Sequence, residues 1–440
     1  MDSPRLTRQL TLPAAVALVV GQVIAVGIFL TPGTIIRGLA SPFWVAFVWV
    51  LMGAMAICGA LVYGALAGRF PEAGGGYVYL REVYGPRVAF LYGWKCLLIM
   101  DPGITAALAT GFAAYAGYFV ALSDTGARLV AIGGIAAFAL LHVLGVGPGM
   151  RVMSALAGLK IALIVALILL AFGSSSGDWR HFVPLVDRRS GAPPFAGALA
   201  GAFVAVFFTF GGWWEVTKIA GEVRDPSRTL PRALWIGLVT VTLLYLATTM
   251  AFVYVLPIEG VQAGEAFVAQ VGTVILGAAG GQAVAAIVIV CVLGSLGAML
   301  MLAPRLYFAM AQDKLFPAGA AAVHPRFGTP ARAIAIQAVL ASVLVGLGTF
   351  ESIVSYFVFI TVVFIALTVA SVFVLKRREP NLRVPGYPWT PAVFLVMVAV
   401  LLVLIAANSP LQAVLGAGIV ALGMPVYRLI EPRMPPTARV

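Results

Sequence analysis

Long apolar runs separated by short polar segments fill this chain almost from end to end. Windows long enough to cross a bilayer fall near residues 12–38, 42–66, 88–120, 126–145, 151–172, 197–220, 232–256, 272–304, 333–348, 352–375, 389–407 and 411–430. Roughly 20 consecutive apolar residues carry a helix across the hydrocarbon, so the pattern predicts an all-α polytopic membrane protein of about 12 transmembrane helices. The first run lacks a convincing small-residue cleavage site and leads into a second span, so it reads as helix 1 and not as a removable signal peptide. The largest gap between spans runs from about Gly173 to Pro194, too little for a soluble domain, and residues 1–440 read as one membrane domain.

Two of the apolar segments break in their middles. The first break is Ala25-Val26-Gly27-Ile28-Phe29, followed by Thr31-Pro32-Gly33; the second is Phe208-Thr209-Phe210-Gly211-Gly212-Trp213, about 184 residues later. Glycine lets a membrane helix unwind, and unwinding frees backbone N–H and C=O groups that hydrocarbon cannot satisfy. Paired Gly-interrupted segments at matching places in two halves point to the midplane binding site of an inverted-repeat transporter. The competing reading is that these glycines only permit close helix packing.

Composition and charge sharpen this picture. With 62% hydrophobic and 10% charged residues, a soluble globular chain is excluded. If the spans alternate, 21 of the 28 Lys and Arg residues fall on the side of the N-terminus, Lys218 and Arg305 among them, and 5 on the other, with Lys95 and Lys160 inside spans. Both termini are therefore expected in the cytoplasm, and the net charge of +12 reads as topogenic charge and not as a nucleic-acid surface. Cys58, Cys96 and Cys291 are scattered through apolar spans without a CxxC pair, which points to neither disulfide nor metal.

Five blocks then stand in order along nearly the whole chain. They are Phe70-Pro71-Glu72-Ala73-Gly74-Gly75-Gly76-Tyr77 running to Gly85; Gly211-Gly212-Trp213 with Gly221-Glu222-Val223-Arg224-Asp225-Pro226; Arg305 to Pro317 with Ala311-Gln312-Asp313; His324-Pro325-Arg326-Phe327-Gly328-Thr329-Pro330; and Lys376-Arg377-Arg378-Glu379-Pro380 leading to Gly386-Tyr387-Pro388. Together they resemble the amino acid–polyamine–organocation (APC) permeases, nearest to bacterial L-amino-acid transporter-like exchangers. The resemblance implies a LeuT-like architecture: inverted five-helix repeats over about 11–172 and about 195–376, two further helices over about 389–430, and a substrate held between unwound helices 1 and 6.

The chemistry of such breaks can be argued without the family. Half-helix N-termini present free N–H groups that suit a carboxylate, and freed carbonyls suit an ammonium group; an α-amino acid carries both. Ala25, Val26, Gly27 and Ile28 on helix 1, and Phe208, Phe210, Gly211, Gly212 and Trp214 on helix 6, are the expected substrate-binding residues. Relatives usually read Gly-Ser-Gly-Ile-Phe where this chain has Ala25-Val26-Gly27-Ile28-Phe29, so a hydroxyl is missing. Phe208 matches the aromatic gate of related exchangers. Trp214 replaces a common asparagine, which narrows the pocket and favours small or medium neutral substrates; a lipid-facing Trp is the alternative.

Ionisable residues within the spans form the last set of candidates, since each is costly unless partnered. By the resemblance, Lys160 places an ammonium where sodium sits in sodium-coupled relatives, with Ser295 as a hydroxyl partner; it can also serve as a proton carrier, or snorkel to the interface. Asp101 lies about 13 residues into its span, about 20 Å deep, and is expected to bind a substrate ammonium, to carry a proton, or to pair with Lys95 or Lys160. Glu215 is ambiguous, and His142 reads as a packed, hydrogen-bonded histidine. No nucleotide loop, metal-ligand set or catalytic triad stands out, so neither an enzyme nor a cofactor is expected. The expected function is sodium-independent amino-acid transport across the plasma membrane, as exchanger or proton-coupled permease. A polyamine or organic-cation permease and a non-transporting amino-acid receptor are the alternatives. No coiled-coil pattern marks an oligomeric state.

Overall fold

Twelve apolar helical segments occupy the places the hydropathy pattern predicts, in a computed structural model that describes residues 6–262, 265–347, 350–408 and 410–430. They are α1, in two halves α1a (Leu12–Val23) and α1b (Gly27–Leu39), then α2 (Pro42–Arg69), α3 (Pro86–Ala116), α4 (Asp124–Val143), α5 (Val146–Phe172) and α6 (Phe195–Glu222). The remainder are α7 (Pro226–Val255), α8 (Ala269–Gln312), α9 (Ala331–Leu347), α10 (Phe359–Arg378), α11 (Trp389–Ala407) and α12 (Ala413–Ile430). Among the described residues the only β pairing is a single bridge, Leu10 with Val223. The chain is thus a multi-pass membrane protein of helices alone.

Most spans are apolar on all sides, which is why their solvent-free surfaces serve both neighbouring helices and lipid. Their starts are set locally. In α2, Pro42 sits where its missing N–H does no harm, while the Ser41 hydroxyl receives the Trp44 amide and faces the Leu185 and Val186 carbonyls at 3.0 Å. Small residues then let α2 and α7 touch almost backbone to backbone: a Cβ on Gly64 would lie 2.8 Å from the Pro231 Cα.

This packing places α1a at the centre, against α5, α7 and α8. The second half of α6 is a 3-10 segment, Trp213–Glu222 (α6b), enclosed by α1a, α2, α7 and α8. That enclosure corrects the charge map drawn from sequence. Lys218 and Arg305, assigned there to one membrane face, are each 1% exposed, because both belong to helices that continue through the interior. Arg5, Arg433 and Arg439 lie outside the described residues. Arg305 pairs with the equally buried Glu222, Nε to Oε1 at 2.7 Å and Nη2 to Oε2 at 3.2 Å, joining α8 to the end of α6b. Leu10 and Gln9 close the same end by donating their amides to the Glu222 carbonyl. Just past the C-terminal end of α8, Asp313 accepts from Arg81 and from the Tyr77 hydroxyl, both at 2.7 Å, which ties down the short helix Gly76–Tyr84.

Removing one partner of a buried ion pair leaves the other uncompensated, at about 3–5 kcal/mol. Glu222→Ala should therefore lower the detergent melting temperature strongly. Glu222→Gln combined with Arg305→Met should recover most of the loss, as followed by thermal unfolding of the purified protein.

Candidate functional site

The break in α1 determines the local chemistry. Its two halves meet at 50°, and the chain between them runs through Ile24, Ala25 and Val26. The last carbonyls of α1a have no intrahelical donors, yet they lie in the interior, so partners must come from elsewhere. Lys160 on α5 supplies them: its Nζ donates to Gly21 O at 2.7 Å, to Ile24 O at 2.6 Å and to Ser295 Oγ at 3.1 Å. Three donors meet three acceptors, the full capacity of an ammonium group. The Ser295 hydroxyl on α8 in turn lies 2.8 Å from Gly21 O and 3.0 Å from Ile24 O. Tyr245 on α7 donates to Val23 O at 2.9 Å. Gly294 is a glycine because a Cβ there would collide with the Lys160 Cε.

The break in α6 follows the same logic. Its first half, Phe195–Thr209 (α6a), ends at Phe210, and Gly212 adopts φ +100°, a left-handed conformation that disfavours any side chain. A Cβ there would also lie 2.9 Å from Gln22 Cγ. Gly27 approaches Thr209 so closely that a Cβ on it would be 3.0 Å from Thr209 Cγ2. The two breaks therefore face each other, and the Thr31 and Thr209 hydroxyls lie 3.1 Å apart across them.

Between the breaks is a cavity of about 380 Å³, the size of a small ligand site. Of the residues singled out from sequence, Ala25, Val26, Gly27, Phe208, Gly211, Gly212, Trp214 and Ser295 line it. Ile28 and Phe210 do not: Ile28 is fully buried, and the Phe210 ring packs against Trp49 and Tyr245. Lys160 sits behind Ser295, on the carbonyls and not in the cavity wall. Phe208 is 40% exposed, its ring edge-on to Phe207. His142 is a buried structural histidine whose Nε2 lies 2.8 Å from Gly297 O.

Asp101 is a further correction. It is fully buried outside the cavity wall, and its partner is neither Lys95 nor Lys160 but Lys218, whose Nζ is 3.2 and 3.0 Å from its two carboxylate oxygens. The same ammonium reaches Glu215, one turn earlier on α6b, and Glu215 does line the cavity. Sequence reasoning missed the role of Lys218, although a lone acid deep in one span and a lone base in another each require a partner. It also missed Gln22, Thr31, Thr209 and Thr361, whose side chains add polar groups to the cavity wall. For these the only signal was their position beside the breaks.

Comparison with known proteins gives a consistent picture. The family model described as amino acid permease matches residues 10–425. The chain is similar to the serine/threonine exchanger SteT of Bacillus subtilis (strain 168), 28% identical over 393 residues, covering 88% of each protein. It is also similar to the large neutral amino acids transporter small subunit 2 of Homo sapiens, 26% identical over 431 residues, 96% of this chain and 80% of that protein. To the human cystine/glutamate transporter it is 26% identical, over 97% of this chain and 86% of that one. A match over nearly the whole length, on a helical bundle with two facing breaks, establishes that this chain belongs to the amino acid permease family.

Proposed function

We propose that this protein is a sodium-independent secondary transporter of amino acids in the plasma membrane, working by alternating access as an exchanger or a proton-coupled permease. The observation that carries the sodium independence is the position of the Lys160 ammonium. It fills the carbonyl cluster that unwinding of α1 creates, so the structural work of a bound cation is already done, and like charge repels a second one. The relatives' own names, exchangers and transporters of amino acids, support the substrate class.

In this reading the amides of Gly27, at the start of α1b, and of Gly212, just before α6b, receive the substrate carboxylate. Carbonyls of the two break segments that Lys160, Ser295 and Tyr245 leave open receive its ammonium. These contacts need no side chain, which is why Ala25 and Val26 can stand where relatives carry glycine and serine. The Thr31 and Thr209 hydroxyls are the nearest replacements for the missing serine. Trp214 limits the side-chain pocket to small or medium neutral groups, and Phe208 closes over the bound substrate. Within the five-helix repeats, about 11–172 and about 195–376, helices α1, α2, α6 and α7 rock against the rest around the midplane site, with both termini in the cytoplasm as the basic residues suggest. Substrate exchange or a proton gradient supplies the driving force.

Uptake of labelled amino acids into vesicles loaded or not with unlabelled amino acid tests this reading; a protein that moves none of them in either case refutes it. Lys160→Ala removes three charge-assisted hydrogen bonds, each worth about 1.5–3 kcal/mol, so exchange should fall by roughly tenfold or more with the protein still folded in the membrane. Wild-type exchange in that variant would remove the cation role. For Phe208→Ala, the maximal rate should drop several-fold while binding weakens less, and an unchanged rate would remove it as a gate.

A further inference from the structure

Four ionisable side chains lie together in the interior on the α6b side of the cavity: Lys95 and Asp101 on α3, Glu215 and Lys218 on α6b. None is more than 1% exposed. Their pairing is uneven. Lys218 holds both oxygens of Asp101 and one oxygen of Glu215. Neither Glu215 oxygen accepts a hydrogen bond among the described residues: Oε2 has only its ion-pair contact with Lys218, and Oε1 is buried without a partner. Lys95 meanwhile has, among the described residues, neutral partners only, the Thr361 hydroxyl at 3.1 Å and the Met100 sulfur at 2.9 Å, with the Tyr92 and Phe364 rings at 5.1 and 5.7 Å.

An orphaned carboxylate oxygen is expensive in such a place, because a buried charge needs both an opposite charge and filled lone pairs. Asp101 has both in Lys218. Glu215 has a share of one cation and an empty acceptor, and it forms part of the cavity wall. A second orphan, Gln22 Oε1, belongs to a residue lining the same cavity. The wall thus holds acceptors without hydrogen-bond donors on both Glu215 and Gln22, and one added proton with its O–H bond changes that balance. The other titratable groups around Glu215 are Tyr63 on α2, Tyr92 and Cys96 on α3 and Tyr307 on α8, all ordinarily neutral near pH 7. The helices α1 and α10 contribute Gln22 and Thr361 to the wall beside it, and neither titrates.

We propose that Glu215 is the proton-binding site of this transporter. A proton delivered by water in the cavity adds to the carboxylate, forming a carboxyl group, and leaves again to water on the other side; no other bond is made or broken. In the charged form Glu215 shares Lys218 with Asp101. In the protonated form it releases Lys218 to Asp101 alone, which strengthens the tie between α6b and α3. The proton therefore sets how firmly the half-helix next to the substrate is held to its neighbour. The inference rests on the transport reading and decides, within it, for proton coupling.

The test uses the full-length protein in vesicles with labelled L-serine, L-threonine and L-leucine. An inward proton gradient should speed uptake into empty vesicles by at least about threefold, and Glu215→Gln should abolish that acceleration whatever its absolute rate. Wild-type uptake indifferent to the gradient, or acceleration that survives in Glu215→Gln, would overturn the proposal. Exchange into preloaded vesicles, which the transport reading requires and the proton site does not, is followed in parallel, so the two failures are seen separately. In a second measurement, adding the same amino acids to purified protein in weakly buffered detergent should shift a pH dye by a fraction of a proton up to about one per protein, and by nothing in Glu215→Gln. Binding by the wild type without any proton change would overturn it as well.

Discussion

The Lys160 ammonium seated on the carbonyls of an unwound helix is the interaction on which the rest of this site depends. Hydrocarbon offers no hydrogen bonds, so a membrane helix can open only where protein groups replace the lost ones. Lys160, Ser295 and Tyr245 do this for Gly21, Val23 and Ile24. With the carbonyl side of the break satisfied internally, the amide side of α1b remains turned to the cavity. One positive charge, supplied by α5, thus fixes the shape of α1 and leaves its other half free for a ligand.

Charge pairing orders the region on the α6b side of the cavity. In chain order along α6b and α8, the Glu215–Lys218–Asp101 group, the Glu222–Arg305 pair and the Arg81–Asp313 contact each join the second half of α6, or the short helix beside it, to a neighbouring span. Each is specific in direction and distance, unlike the apolar contacts around it. A bundle held by such pairs can separate along defined surfaces, because exchanging a few partners opens it without disturbing the core. The buried Glu222–Arg305 pair joins α6b to α8, and the group around Lys218 joins α6b to α3 beside the cavity.

Much of this was legible in the sequence. The positions of the spans, the two breaks and the deep placement of Lys160 all follow from hydropathy, glycine and the cost of an isolated charge. What sequence did not yield is the direction of side chains once a helix departs from α geometry. In the 3-10 form of Trp213–Glu222 side chains repeat every three residues, which stacks Lys218 over Glu215 on one buried face where an interfacial position was expected. Ile28 and Phe210 sit within the breaks yet face the core, since an unwound backbone has no fixed periodicity from which to read a face. The Asp101–Lys218 pair joins residues 117 apart, a long-range contact that no local pattern encodes.

If the ammonium of Lys160 already does the work of a bound cation, substrate binding should carry no linkage to sodium. The most direct measurement is the affinity of the purified protein for an amino acid it carries, with sodium chloride and with sodium replaced by N-methylglucamine at equal ionic strength. The two dissociation constants should be equal within about twofold. Binding tighter by about tenfold in sodium would mean that an ion still occupies the site, and that Lys160 does not stand in its place.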